Sequence, residues 1–113
     1  MSSRYKLVFF VPVAATDAVL NHLFSRYPTA LGKIGNYQHC AFVTRGTGQF
    51  RPCDGANPTI GTVDTLEHVG EDRVEIVVND GGDQADLKGA IRELKQIHPY
   101  EEVAYDVYKL EGF

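Results

Sequence analysis

The sequence predicts an α+β fold, a ferredoxin-like βαββαβ sandwich in which two helices cover one face of an antiparallel sheet. Three observations lead to this prediction. The first strand-like segment is apolar almost throughout, two segments carry apolar residues at helical spacing, and strand-like stretches precede, separate and follow them. Right-handed crossovers and the adjacency of neighbouring strands favour this arrangement. The length of 113 residues fits one domain, so residues 1–113 are treated as a single unit.

The first strand and helix have clear signals. Tyr5–Val13 is rich in β-branched and aromatic residues and hardly alternates, which is typical of a central strand buried on both faces. Thr16 is expected to cap the first helix, which carries an apolar stripe and stops at Pro28. The second strand is predicted at Gln38–Arg45.

The stretch Leu31–Gly61 is dense in glycine and proline yet carries aromatic residues. Glycine suits positions where the chain needs positive φ or a close approach, and proline fixes φ. We expect a shaped loop held down by hydrophobic pins at Tyr37, Phe42 and Phe50.

Turn residues divide the middle of the chain. Gly46-Thr47-Gly48 predicts a turn, after which Gln49–Arg51 pairs back as a short hairpin arm. A long loop, Gly46 to Gly61 or beyond, is therefore expected between strands two and three. Gly70–Asp72 predicts a further turn, followed by the third main strand at Arg73–Val78. The acidic positions around it are interpreted as a solvated face: Glu67, Glu71, Asp72 and Glu75.

The second helix and last strand complete the pattern. Asp83 is expected to cap the helix, and Pro99 to end it. His98 lies in its last turn, where its side chain is expected to cap helix carbonyls. Glu102–Leu110 alternates as a final strand.

The sheet face away from the helices is not obviously polar. Tyr105, Val107, Phe42 and Val77 are all candidates for it. Because an uncovered apolar sheet face usually marks association, we expect an oligomer.

Composition limits the partners. The formal net charge is −4 and the pI is about 5.5, which argues against binding to nucleic acid or to an anionic membrane. The longest apolar run, Leu7–Val11, is too short to span a bilayer, and no signal peptide is recognisable. A cytoplasmic location with reduced Cys40 and Cys53 is expected, although their spacing leaves a disulfide between them open.

Three segments together resemble one known family. They are IGNYQHCAFVTRGTGQFRP, GANPTIG and HPYEEVAYDVYKL, and they stand in the family's order. They resemble the domain inserted in many members of the Nif-three-like family, also described as the YqfO type or NGG-one-interacting factor three. That domain looks like the trimeric PII signalling proteins and the CutA metal-tolerance proteins. The segment His98–Glu101 is similar to the HPYE-type segment of CutA.

The resemblance implies a stand-alone PII/CutA-like domain, with a homotrimer as the expected assembly. In the larger family members a two-metal site is built by histidines and carboxylates in flanking segments. Those flanks have no counterpart here, so neither metal ligands nor an enzymatic activity carry over to this chain, and no cofactor is expected.

A ligand site is expected in a cleft between subunits, near the long loop between strands two and three. Amides around the glycines could bind an anion, but hairpin geometry explains the same glycines more simply. The candidate ligand-binding residues are His39, Gly46, Gly48, His98, Tyr100 and Glu101.

The function predicted from these residues is a non-catalytic, small-ligand-binding or regulatory oligomeric module. One alternative is a divalent or copper-ion binding protein in the CutA manner, with Cys40 and His98 as candidate metal ligands. Paired metal-ligand spacing is absent, which argues against this alternative. A second alternative is a purely structural oligomerisation domain.

Overall fold

The computed structural model describes residues 2–113 and confirms the predicted ferredoxin-like βαββαβ sandwich. A 3-10 turn at Val13–Ala15 joins the first strand to the first helix. The four strands form one antiparallel sheet in the order β2-β3-β1-β4. In chain order the elements are β1 (Ser3–Pro12), α1 (Thr16–Arg26), β2 (Phe42–Phe50), β3 (Glu67–Asp80), α2 (Ala85–Ile97) and β4 (Tyr105–Leu110).

Strand β1 is the centre of the sheet, as its apolar run predicts. It pairs with β3 on one side and with β4 on the other. Leu7 and Phe9 point toward the helices, while Val8 points to the opposite face, and all three are buried. Burial on both faces explains why the sequence of β1 lacks alternation.

The apolar stripes of both helices pack on one face of the sheet, which confirms the helical periodicity. The stripe of α1 is formed by Val19, Leu20, Leu23, Phe24 and Tyr27, and that of α2 by Leu87, Ala90, Ile91, Leu94 and Ile97. Gly89 lies where α2 meets α1, and a Cβ there would collide with the hydroxyl of Tyr27.

The predicted turns at Gly46–Gly48 and Gly70–Asp72 are wrong. Strand β2 runs straight through both glycines, with Gly46 opposite Glu71 and Gly48 opposite Val69. Strand β3 likewise continues through residues 70–72, because partners on both sides supply its ladder. The loop between these strands is therefore residues 51–66, and β2 begins and ends later than predicted.

Two of the three hydrophobic pins predicted for the glycine-rich stretch are wrong, whereas the third, Phe50, is half-buried and packs near Tyr100. Tyr37 and Phe42 are 75% and 66% exposed. Ala30 and Leu31 are buried instead, because the backbone of residues 30–32 pairs with β3 beyond the start of β2.

Both predicted helix caps are corrected by buried aspartates. The hydroxyl of Thr16 donates to Oδ2 of Asp72 at 2.7 Å and caps no helix amide. Asp72 is 3% exposed and also accepts from Arg45 Nε at 2.7 Å. These hydrogen bonds from Thr16 and Arg45 hold the pKa of Asp72 below its usual range.

Helix α2 is capped chiefly by Asp80. Its carboxylate accepts hydrogen bonds from the amides of Gly82, Gln84 and Leu87. Asp83 accepts only the amide of Ala85. The amide of Leu87, in the first turn of α2, thus binds an acceptor at the end of β3, and Gln84 between them takes a left-handed conformation.

The face of the sheet away from the helices, here called the open face, has a different composition from that predicted. Tyr105 and Val107 lie opposite Phe9 and Leu7 and pack in the core, so their assignment to the open face is wrong. Phe42 and Val77 do belong to the open face, by their register with β3 and β1. Within residues 2–113, no helix has both the length and the hydropathy needed to span a bilayer.

Leu31 provides a test of this packing. Leu31→Ala should lower the free energy of unfolding by about 2–5 kcal/mol, the usual cost of removing a buried leucine side chain. Ile34→Ala, in the same loop but at a half-exposed side chain, should change it by about 0.5 kcal/mol or less. Urea denaturation measures both, and equal effects would contradict the role of residues 30–32 in the core.

Candidate functional site

A groove with a volume of about 370 Å³ lies at the end of the sheet where β1 ends and β4 begins. Phe10 and Glu71 reach it from the open face, since each alternates along its strand with residues that face the helices. The loop 51–66 and the α2–β4 junction, residues 98–104, form its walls. Its apolar lining is Phe10, Phe50, Pro52, Ala56, Pro58 and Ala104, and its polar lining is Gln49, Arg51, Thr59, Glu71, Tyr100, Glu101 and Glu102.

His98 fixes the α2–β4 junction against the central strand. Its Nε2 donates to the carbonyl of Phe10 at 2.7 Å, while its Nδ1 accepts the amide of Tyr100 at 3.1 Å. Phe10 also donates its own amide to Ala104, so the imidazole continues the β1–β4 ladder beyond the start of β4. The expected capping of helix carbonyls by this side chain is wrong.

The protonation state of His98 follows from these bonds. The side chain is 5% exposed, and burial lowers its pKa below the ordinary value. A neutral imidazole with its proton on Nε2 satisfies both hydrogen bonds, whereas a cation would set an N–H of Nδ1 against the amide of Tyr100. His98 is therefore neutral at physiological pH.

Tyr100 and Glu71 are hydrogen-bonded to each other within the groove. The tyrosine hydroxyl donates to Oε2 of Glu71 at 3.1 Å. Burial and then this hydrogen bond to the carboxylate raise the pKa of Tyr100 to about 12. The hydroxyl therefore stays protonated and acts as a hydrogen-bond donor.

Gly48 makes room for the carboxylate of Glu71. A Cβ on Gly48 would overlap Oε1 and Cδ of Glu71, whereas a Cβ on Gly46 would be 4.0 Å from its nearest neighbour, the carbonyl oxygen of Glu71. The glycine at position 48 thus has a specific steric role, in place of the turn that the sequence predicted.

The loop 51–66 is tied to the α2–β4 junction. Thr59 Oγ1 donates to the carbonyl of Pro99 at 2.7 Å, and the amide of Asn57 donates to Oε1 of Glu101 at 3.0 Å. The rings of Phe50 and Tyr100 lie 6.0 Å apart with a tilt of 59°. These contacts fix the two walls of the groove relative to each other.

The six candidate ligand-binding residues fall at two places. Tyr100 and Glu101 line the groove, Gly48 contacts its Glu71, and His98 and Gly46 lie just behind it. His39 stacks on Phe24 at a centroid distance of 4.8 Å, near the other end of the sheet.

Cys40 also lies far from the groove. Its amide bonds to Gly32, which pairs with Val77, six residues along β3 from Glu71. At the rise of a β-strand this is about 20 Å. Cys40 and Cys53 are free thiols. Within residues 2–113, no group of three His, Cys, Asp or Glu side chains is placed to hold a metal ion.

Sequence reasoning missed Glu71 and Asp72, which it placed on a solvated face. Asp72 is buried and Glu71 is half-buried. The pair of glycines in β2 was the feature of the sequence that could have indicated a buried carboxylate here. A glycine has no side chain, so it leaves room for a side chain of the neighbouring strand. The missing information was the register that sets Gly46 opposite Glu71.

Comparison with known proteins identifies the relatives of this groove-forming domain. No family model matches the chain. It is 44% identical over 108 residues to a GTP cyclohydrolase 1 type 2 homolog of Halalkalibacterium halodurans, covering 96% of this chain and 27% of the relative. A crystal structure of a Bacillus cereus protein related to NIF3 matches with a TM-score of 0.78 and 36% identity, over 99% of this chain and 27% of that protein. The chain is a homologue of one region of the Nif-three-like proteins.

The chain thus spans about a quarter of the length of these relatives. A second type of neighbour supports the fold alone. The divalent ion tolerance protein CutA1 of Ehrlichia chaffeensis matches with a TM-score of 0.67 at 15% identity, covering 100% of this chain and 86% of the neighbour. The CutA-like fold that the segment His98–Glu101 implies is therefore shown.

The neutral state of His98 generates a pH-dependent prediction. Its native pKa lies below 6.5, so as the pH falls below 6.5 the unfolded chain binds a proton that the native chain does not. The free energy of unfolding therefore decreases as the pH falls from 6.5 to the native pKa of His98. Below that pKa both states bind the proton, so His98 causes no further change.

His98→Asn should be less stable than the wild type by about 1–3 kcal/mol near neutral pH, because the Phe10 carbonyl and the Tyr100 amide lose their partner. It should also lose less stability between about pH 7.5 and about pH 5. Urea midpoints at both pH values provide the measurement, and His68→Asn, at an exposed histidine, is the control. An unchanged pH dependence in His98→Asn would contradict the assignment.

Proposed function

We propose that this chain is a non-catalytic module that binds a small ligand in the groove and serves a regulatory role. The observation that carries the proposal is the groove itself, which combines an apolar lining with a few convergent polar groups. Its volume of about 370 Å³ falls within the range of small-molecule sites. Tyr100 and Glu101, proposed as ligand-binding from the sequence, both line it.

The state of the polar groups supports binding in preference to catalysis. Both ring nitrogens of His98 are engaged in bonds that hold the backbone. Tyr100, with a pKa of about 12, is poorly matched to proton transfer at neutral pH. The groove therefore offers hydrogen bonds and apolar contact, and its side chains are arranged for recognition.

The curated relatives carry the name GTP cyclohydrolase 1 type 2 homolog, and this chain corresponds to about a quarter of their length. We assign to this chain the recognition of a ligand and leave any chemistry suggested by that name to the whole relatives. His39 and Cys40, which lie about 20 Å from the groove by strand rise, are outside the proposed site.

Matched glycine variants test the groove as the ligand site. Gly48→Ala should displace the Glu71 carboxylate at little cost in stability, whereas Gly46→Ala has room for its new methyl group. In a fragment screen by thermal shift, compounds that stabilise the wild type should stabilise Gly46→Ala equally and Gly48→Ala less, with about a threefold or greater loss of affinity. Equal stabilisation of all three proteins would place the binding site elsewhere.

We also propose that the chain associates with copies of itself through the open face of its sheet. Phe42 and Tyr108 stand on this face at its two edges and are 66% and 51% exposed. Val8 and Val77 are buried within this face, and Glu75 and Lys6 lie beside them in the register, so its exposed apolar side chains include those at the two edges. Exposed apolar side chains of this size favour association. The homotrimer implied by the resemblance is the proposed assembly, and the groove opens at the end of the same face.

Light scattering tests this assembly. The wild type should have a mass near three times the 12.5 kDa of one chain. Phe42→Glu should lower that mass, because it replaces an exposed apolar side chain of the open face by a charge, whereas Ile34→Glu should not, since Ile34 is a half-exposed side chain outside the sheet. A wild-type mass of one chain at micromolar concentration would contradict the proposal.

A further inference from the structure

The charges and rings of the groove narrow the class of its ligand. Three carboxylates line it, those of Glu71, Glu101 and Glu102. Among residues 2–113, the one cationic side chain in the lining is Arg51, whose Nη2 lies 3.4 Å from Oδ1 of Asp64. The charge presented to a ligand is therefore negative.

Aromatic faces stand beside these carboxylates. Phe50 and Tyr100 are tilted toward each other at 6.0 Å. Phe10 forms part of the same lining, and the guanidinium of Arg73 already lies over its ring, 5.8 Å from the centroid. A cation is attracted to the face of an aromatic ring, and the attraction grows when the site excludes water. Rings and carboxylates together are how proteins recognise ammonium and guanidinium groups on an apolar body.

A metal ion fits this lining less well. Glu71 Oε2 already accepts the hydroxyl of Tyr100, and Glu101 Oε1 accepts the amide of Asn57. The remaining surface is largely apolar, whereas hard cations require several converging oxygens. An organic cation needs only one or two carboxylates and gains from apolar contact.

We propose that the groove binds a small organic cation, with an ammonium, amidinium or guanidinium head near Glu101 and Glu102 and an apolar or aromatic body against Phe50, Tyr100 and Phe10. This inference rests on the proposed function of the groove and adds the charge and chemical class of its ligand.

Three size-matched probes test it on the full chain: benzamidinium, benzamide and benzoate. In amide-resolved NMR titrations, benzamidinium should shift the signals of Phe50, Tyr100 and Glu101 and bind about tenfold tighter than benzamide. Benzoate should bind most weakly. Raising the salt concentration should weaken the binding of benzamidinium but not of benzamide.

Charge-neutral variants identify the carboxylates responsible. The double variant Glu101→Gln and Glu102→Gln keeps the shape of both side chains, and an amide oxygen can still accept from Asn57. It should weaken benzamidinium about fivefold and leave benzamide unchanged. Glu111→Gln, near the opposite end of the sheet, should change neither.

The outcomes separate this inference from the proposed function. Equal binding of the three probes in the groove would overturn the preference for cations and leave the groove as a ligand site. Absence of any shift in the groove would also overturn it, and the fragment screen on the glycine variants would then decide the proposed function alone. If benzamidinium lowered the mass of the assembly, the occupant would be a basic side chain of another copy, which overturns the small-molecule assignment.

Discussion

The hydrogen bond from the His98 imidazole to the Phe10 carbonyl is the contact on which the candidate site depends. It fastens the α2–β4 junction to the central strand at the point where the backbone of β4 stops pairing. Tyr100 is placed beside Glu71 as a result, and Pro99 and Glu101 are placed where the loop 51–66 can bond to them. One buried, neutral histidine thus positions both walls of the groove.

The glycines of β2 contribute through the space they leave and not through flexibility. Gly48 leaves room for the Glu71 carboxylate beside β2, where the carboxylate accepts the hydrogen bond from the hydroxyl of Tyr100. A residue pattern that suggests turns therefore serves a steric purpose inside a regular ladder.

Elements with strong local periodicity could be predicted from the sequence, and features set by long-range pairing could not. The apolar run of β1 and the stripes of both helices determine their own burial, whatever their neighbours are. By contrast, Gly46 and Gly48 are in a strand because β3 supplies the ladder, and Leu31 is buried because residues 30–32 pair with β3. The site residues Tyr100 and Glu101 were found through a resemblance, whereas Glu71 required the register of two strands.

We propose that this domain binds its ligand in the groove between the loop 51–66 and the α2–β4 junction. A crystal structure of the chain soaked in a mixture of fragments that includes organic cations tests this most directly. We expect density between Phe50, Tyr100 and Glu101, with the His98–Phe10 hydrogen bond intact. Density confined to other surfaces, such as the region around His39 and Cys40, would contradict it.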